Sequence, residues 1–278
     1  MMTQKQVRKT KEGISFGLKV LLGILFISPL IIGFLFSIQY EDELTSSPLR
    51  LFTANPTLIN YIEVFQKVPL LSYLKNSLIV CLLAITIQIV VASLAAYGFS
   101  FFEFKGKKFL FGLVLASMMI PGEVVVITNF VTVQNLGLTN TYLGLILPRT
   151  ASAYGIYMLT SFFSGVPKSL DEAARIDGMK EFQIYSRIIA PLAKPAFVTL
   201  GIYHFMNNWN DLLYTMMLTS SVDMRTLSAG LAILVGSNSI KFGPTLAATV
   251  ISVAPLLVLF LFGQKFFMEG IATSGMKE

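Results

Sequence analysis

Apolar residues gather into six long windows, at about 17–38, 76–102, 109–133, 141–163, 195–218 and 243–264. A helix needs about 20 apolar residues to cross the hydrocarbon core of a bilayer, so each window predicts one membrane span. Two stretches, Ser77–Phe102 and Gly243–Gly263, carry no charge at all. The first window, Gly17–Ile38, outruns the ~7–15 residues of a signal-peptide core and is not followed by a small-x-small cleavage site. It is expected to stay as a span. The pattern predicts an all-α integral membrane protein, one transmembrane domain over residues 1–278, without internal repeat or low-complexity stretch.

The polar gaps carry their own signals. In the segment 39–75, Asn55-Pro56-Thr57 predicts a helix start, with Asn as N-cap and Pro at the first helical position. Tyr61, Ile62 and Phe65 would then share a face at the outer interface. The segment 219–242, with Ser220, Ser221, Asp223, Asn238 and Ser239, reads as a polar loop facing water or a soluble partner.

The loop 164–194 is the most specific. Ser169 and Glu172 have capping-box spacing, and Asp171 and Glu172 suit the first turn of a helix. Gly178 suits the left-handed position that stops one. A two-turn helix over Leu170–Asp177 is predicted, followed by a second, Lys180–Ile189, that ends before Pro191. So short a helix is marginal alone in water and needs a surface. Leu170, Ala173, Ala174 and Asp177 fall at i, i+3, i+4, i+7, on one face.

Composition agrees with the windows. Of 278 residues, 54% are hydrophobic and 13% charged, against about 25% charged in soluble domains. The net charge of +6 would suggest a nucleic-acid partner in a soluble protein; here the charges sit between apolar runs and report topology instead. With the N-terminus inside, 15 of the 21 basic residues lie on cytoplasmic segments, from Lys5, Arg8, Lys9 and Lys11 to Lys265 and Lys277. Five lie outside (Arg50, Lys67, Lys75, Arg225 and Lys241), and Arg149 falls within a span. Both termini are therefore expected in the cytoplasm of a multi-pass inner (cytoplasmic) membrane protein. A lone cysteine, Cys81, and a lone histidine, His204, build neither a disulfide nor a metal cluster. No phosphate-binding glycine loop and no nucleophile motif appears, so no enzymatic activity is expected of this chain.

Charged and polar residues inside spans are costly and mark pathways or partners. Glu123 in the third window and Arg149 in the fourth are expected at similar depth, either paired or lining a pathway. The fifth window holds His204, Asn207, Asn208, Trp209, Asn210 and Asp211. Their amides and carboxylate suit sugar hydroxyls and Trp209 offers a stacking face, although asparagines equally serve helix–helix hydrogen bonds. His204 is expected to be packed. Pro121 and Pro255 interrupt two windows and are expected to kink them.

Glu172-Ala173-Ala174, Gly178, Ile188 and Pro191 stand at the spacing E-A-A-x3-G-x9-I-x-L-P, with Ala190 where leucine is common. The chain resembles the ABC importer permeases of the maltose-type carbohydrate family. Asn76-Ser77-Leu78, Ala95-Ala96-Tyr97, Met119-Ile120-Pro121-Gly122-Glu123, Arg175-Ile176-Asp177-Gly178 and Trp209-Asn210-Asp211 extend the likeness over nearly the whole chain. The resemblance implies a type I permease with six spans and a cytoplasmic coupling helix. It implies a second homologous permease, a dimeric cytoplasmic ATPase that holds the ATP and Mg, and an extracytoplasmic solute-binding protein. Ser169, Glu172, Ala173, Ala174, Arg175, Asp177 and Gly178 would couple to the ATPase. Glu123, Arg149, Asn207, Trp209, Asn210 and Asp211 are the candidates for the substrate pathway. The tail, Phe266–Gly270 to Met276-Lys277-Glu278, resembles one that reaches the ATPase. Another small solute such as a glycerol phosphate, favoured by Arg149, or a gradient-driven secondary transporter are the competing expectations.

Overall fold

The computed structural model describes residues 4–46, 48, 50–236 and 241–274, with side chains described from residue 13 to residue 263 of these. The described residues are helical or irregular throughout. Helix α1 (Gln4–Ser37) carries the first window and continues through Pro29. A single turn, α2 (Glu41–Leu44), follows. Helix α3 (Ile59–Lys67) starts later than Asn55-Pro56 suggests: Leu58 is its N-cap, and the Ile59 amide donates to Thr57 Oγ1 at 3.2 Å. Its buried residues are Asn60 and Val64, which leaves Ile62 and Phe65 exposed on the other side. Helix α4 (Leu70–Phe101) is unbroken over 32 residues.

The third window breaks. Helix α5 (Lys107–Ser117) stops, and α6 (Gly122–Asn135) restarts with Pro121 as its N-cap after a bend of 97°. Pro121 has no amide to continue the ladder and disfavours helical geometry at Ile120, so the chain turns a corner rather than bending gently. The fourth window also divides. Helix α7 (Tyr142–Ile146) begins at Thr141, whose Oγ1 accepts from the Gly144 amide; a 3-10 turn at Leu147–Arg149 contains Pro148. Helix α8 (Ala153–Phe163) restarts at the Ser152 cap.

Helix α9 (Lys168–Ile176) and α10 (Glu181–Ile184) flank Gly178. The predicted stop before Pro191 is not seen. A π-turn over Tyr185–Ile189 carries the helix into α11 (Ala190–Leu192), and α12 (Lys194–Trp209) continues at a 77° bend. The wider π-turn redistributes the acceptors that Pro191, lacking an amide, would otherwise strand. The fifth window thus begins earlier than expected and ends at Trp209; α13 (Leu213–Leu218) is a separate short helix. A 3-10 turn spans Val222–Met224. The segment read as a polar loop contains an apolar helix, α14 (Leu227–Gly236), whose Leu227, Ala229, Gly230 and Leu231 are buried. Helix α15 (Phe242–Ser274) is unbroken at Pro255. Among the described residues, three helices are long and apolar enough to cross a membrane: Gly13–Ser37, Leu70–Phe101 and Phe242–Gly263. Each bent pair counted as one span raises this to five. The chain is a multi-pass membrane protein.

The chain divides into two compact units. The first comprises residues up to Val68 with Ile233–Ala254. Within it, Asn60 Nδ2 donates to the Ser37 and Gln39 carbonyls at 2.9 and 2.7 Å, closing the turn after α1. The Glu41 carboxylate accepts the amides of Phe242 and Gly243 at 2.8 and 2.9 Å. An anion there meets the unsatisfied donors and the positive end of α15.

The second unit comprises Pro69–Ala232 with residues from Pro255 onward. Helix α4 packs against α8 and α12. Ala92 and Ala96 of α4, Leu159 and Phe163 of α8, and Ala196 and Leu200 of α12 form one core that extends to Ala174 of α9. In lipid, helix association rests on close van der Waals packing, which small residues on a long helix permit. A Cβ on Gly155 would stand 3.1 Å from Ala92 Cβ, so glycine is what lets α8 lie this close to α4.

Candidate functional site

Two places in the second unit concentrate polar chemistry. The first is the loop around α9. The helix starts two residues earlier than the capping box implied: Pro167 is its N-cap and makes no side-chain cap bond, so Ser169 lies inside the first turn. Its stop is the one expected. Gly178 adopts φ +76°, its amide donates to the Arg175 carbonyl at 3.1 Å, and the Met179 amide donates to the Ala174 carbonyl at 3.0 Å. These are the paired bonds of a Schellman end.

The predicted shared face of α9 is divided. Asp171 and Ala174 are buried against the chain itself, whereas Leu170, Ala173 and Asp177 are exposed. Ser169, Glu172, Arg175 and Gly178 are exposed too. Ile176 was not singled out by spacing, yet it is 86% exposed at the end of the helix. Arg175 donates to both Asp171 and Glu181, and those partners, Glu181 first, hold its guanidinium protonated even more firmly than usual.

The second place lies around Arg149. The guanidinium does not pair with Glu123, which is exposed in the first turn of α6, where the helix dipole suits it. Arg149 pairs instead with Asp211, donates from Nη1 to Asn208 Oδ1 at 3.2 Å, and lies 5.1 Å from the centre of the Tyr214 ring. Asn208 Nδ2 in turn donates to Gln88 Oε1 of α4 at 3.2 Å. Asp211 Oδ1 also accepts the Tyr214 amide at 3.1 Å, at the start of α13. The helix breaks explain the meeting. The 3-10 turn delivers Arg149, and the gap between α12 and α13 delivers Asp211.

The other sequence candidates scatter. Asn207 and Asn210 are exposed, and Asn207 Nδ2 bonds back to the Tyr203 carbonyl at 2.8 Å. Trp209 is 2% exposed and stacks on Phe205 at 5.3 Å and 15°, so its faces are covered. His204 is buried beside Tyr203, as a packed residue. Asn208 belongs to the polar cluster of the fifth window, whereas Gln88 and Tyr214 complete the network without having been singled out. A glutamine in the charge-free stretch Ser77–Phe102 was the available signal for Gln88. The end Met276-Lys277-Glu278 lies outside the described residues, as do the side chains of Phe266–Gly270.

Known proteins extend the comparison. Residues 88–270 match the family model of the binding-protein-dependent transport system inner membrane component. The arabinooligosaccharides transport system permease protein AraQ of Halalkalibacterium halodurans is 32% identical, over 97% of this chain and 99% of its own. The trehalose/maltose transport system permease protein MalG of Thermococcus litoralis is 33% identical, over 93% and 94%. A crystal structure of a bacterial ABC transporter involved in the import of the acidic polysaccharide alginate has the same fold, with TM-score 0.81 and 20% identity over 96% of this chain and 99% of that one. Continuous apolar helices, the glycine-stopped helix at 168–176 and these matches lead to one conclusion: the chain belongs to the family of binding-protein-dependent transport system inner membrane components.

Proposed function

We propose that this chain is the permease subunit of an ATP-driven ABC importer that carries a sugar or oligosaccharide. It works with a second permease, a dimeric cytoplasmic ATPase and an extracytoplasmic binding protein. The relatives are named for arabinooligosaccharides, for trehalose and maltose, and for sulfoquinovosyl glycerol, all carbohydrate-bearing solutes. Arg149 alone would favour an anionic cargo such as a glycerol phosphate. Paired with Asp211, it offers hydrogen-bonding capacity without net charge, which suits neutral hydroxyls better.

The observation that carries the coupling reading is α9: a discrete, capped helix that exposes Ile176, Ala173 and Glu172. On this reading α9 is the coupling helix and sits in a cleft of the ATPase. Glu172, Ala173, Asp177 and Ser169 face that partner, Ala174 anchors the helix to its own chain, and Gly178 sets its end. ATP and Mg belong to the ATPase. Its closure displaces α9, and the attached spans move as a rigid body between inward and outward openings. Six crossings result if the divided segment from Tyr142 to Phe163 counts as one, with both termini in the cytoplasm as the basic residues favour.

The test is reconstitution of the complete importer in vesicles. ATP hydrolysis should rise when the loaded binding protein is present, and Ile176→Asp should release the ATPase. Uptake driven by an ion gradient without the ATPase, or full ATPase retention by Ile176→Asp, would overturn the reading.

A further inference from the structure

The Arg175 guanidinium is occupied by its own chain. Nε and Nη2 donate to the Asp171 carboxylate at 2.9 and 3.3 Å. Nη1 and Nη2 donate to the Glu181 carboxylate, the latter at 3.0 Å to Oε2. That same Oε2 accepts the Tyr97 hydroxyl at 3.0 Å. Tyr97 belongs to the last turns of α4, is 5% exposed, and packs its ring against Phe101 and Tyr185. A relay of side chains therefore runs from α9 through Arg175 to α10, and from α10 to α4.

Helix α9 has little else to hold it. It buries only Asp171 and Ala174, and its exit turns on Gly178, the residue type with the widest conformational freedom. A two-turn helix on a glycine pivot flexes before it transmits force. The Arg175 bridge crosses that pivot, with Asp171 before the turn and Glu181 after it. A planar guanidinium can grip two carboxylates at once in fixed geometry, which a lysine ammonium does not reproduce. Ion pairs as exposed as this one add little to stability, so stiffness, not folding, is what the bridge sets.

We propose that Arg175, Glu181 and Tyr97 brace α9 against α4, so that a push on α9 moves the span instead of flexing the Gly178 turn. The inference rests on the reading of α9 as the ATPase contact. It assigns Arg175 to positioning, whereas the family resemblance would place it on the ATPase surface. Glu181 and Tyr97 lie outside the sequence motif.

The experiment uses the full importer in nanodiscs, with spin labels at Lys168→Cys on α9 and Leu94→Cys on α4; Leu94 is exposed, and the buried Cys81 stays in place. Inter-label distances are measured nucleotide-free and after trapping with ATP and vanadate, so no cargo is needed. The unmodified brace should give a narrow distribution that keeps its width in both states. Arg175→Lys, Glu181→Gln and Tyr97→Phe should each broaden it about twofold, while in Glu181→Gln and Tyr97→Phe basal ATP hydrolysis stays within about twofold of the parent. Unchanged widths in all three variants overturn the brace. So does failure of all three to assemble, because the bridge would then be a folding element; Tyr97→Phe removes only a hydroxyl and guards against accidental misfolding. Ile176→Asp separates the underlying reading. If it leaves the ATPase attached, the coupling reading falls; if it detaches the ATPase while the brace variants keep parental widths, only the brace falls.

Discussion

Arg149 and Asp211 stand 62 residues apart in sequence and form an ion pair whose side chains are 11% and 23% exposed. Removing one partner of so covered a pair leaves an uncompensated charge, which costs more than the pair itself contributes. Asp211→Asn keeps an oxygen for the Tyr214 amide but strands the guanidinium. It should destabilise the protein by about 3 kcal/mol in detergent unfolding. Adding Arg149→Met should recover part of that loss. A double variant less stable than Asp211→Asn alone would mean that the two charges do not act as a pair.

Asn76 joins three segments of the second unit. It is 3% exposed, its Nδ2 donates to the carbonyls of Asp223 and Arg225 at 2.6 and 2.9 Å, and its Oδ1 accepts the Tyr142 hydroxyl at 2.6 Å. Asn76→Ala removes all three hydrogen bonds, whose partners are only partly covered, at a cost of about 1–2 kcal/mol. The thermal unfolding midpoint should fall accordingly. A midpoint unchanged from the parent would show that water or repacking replaces the amide fully.

Gly178 holds φ +76° with nothing within 4 Å of a prospective Cβ. Its constraint is therefore backbone conformation and not space. Gly178→Ala should cost about 1 kcal/mol, all of it local. Amide exchange in α9 should accelerate about fivefold while α4 keeps its protection. Equal loss of protection in both helices would contradict a local role.

Glu63 lies outside the spans, with Lys67 at 2.6 Å and Lys241 at 3.1 Å. The hydrogen bond from Lys67, helped by Lys241 and opposed by burial, holds its carboxyl below the ordinary value of 4.5. A carboxyl depressed in the folded state stabilises fully above its unfolded pKa, and that stability is lost as pH falls through the folded value. Glu63 should therefore titrate below 4.5 in carboxyl-carbon NMR, and Lys67→Ala should move it upward. A Glu63 that titrates at or above 4.5 in the parent protein would contradict the ion pairs.

Much of the site around α9 was readable from neighbouring residues. Gly178 announces a left-handed stop whatever surrounds it, because only glycine takes that conformation freely. The membrane class was readable for a similar reason: twenty apolar residues in a row have one common use. Ser169 misled because a capping box is a local preference, and the Pro167 turn upstream overrode it. The pairing alternative for Glu123 and Arg149 failed more instructively. Their comparable depth assumed two straight neighbouring spans, and both windows are broken, by Pro121 and by the turn at Pro148.

Residue order alone thus settled that the chain is helical, membrane-spanning and furnished with a short helix that stops at Gly178, since apolar run length and glycine conformation act over a few residues. Tertiary contact settled the rest. It paired Arg149 with Asp211, turned Ala174 inward and Ile176 outward, covered both faces of Trp209 and tied Arg175 through Glu181 to Tyr97. Each of these depends on where breaks and bends bring distant segments together. A buried charge or ring takes whichever partner satisfies it there, and that geometry is set by the packing of whole helices, not by spacing along one of them.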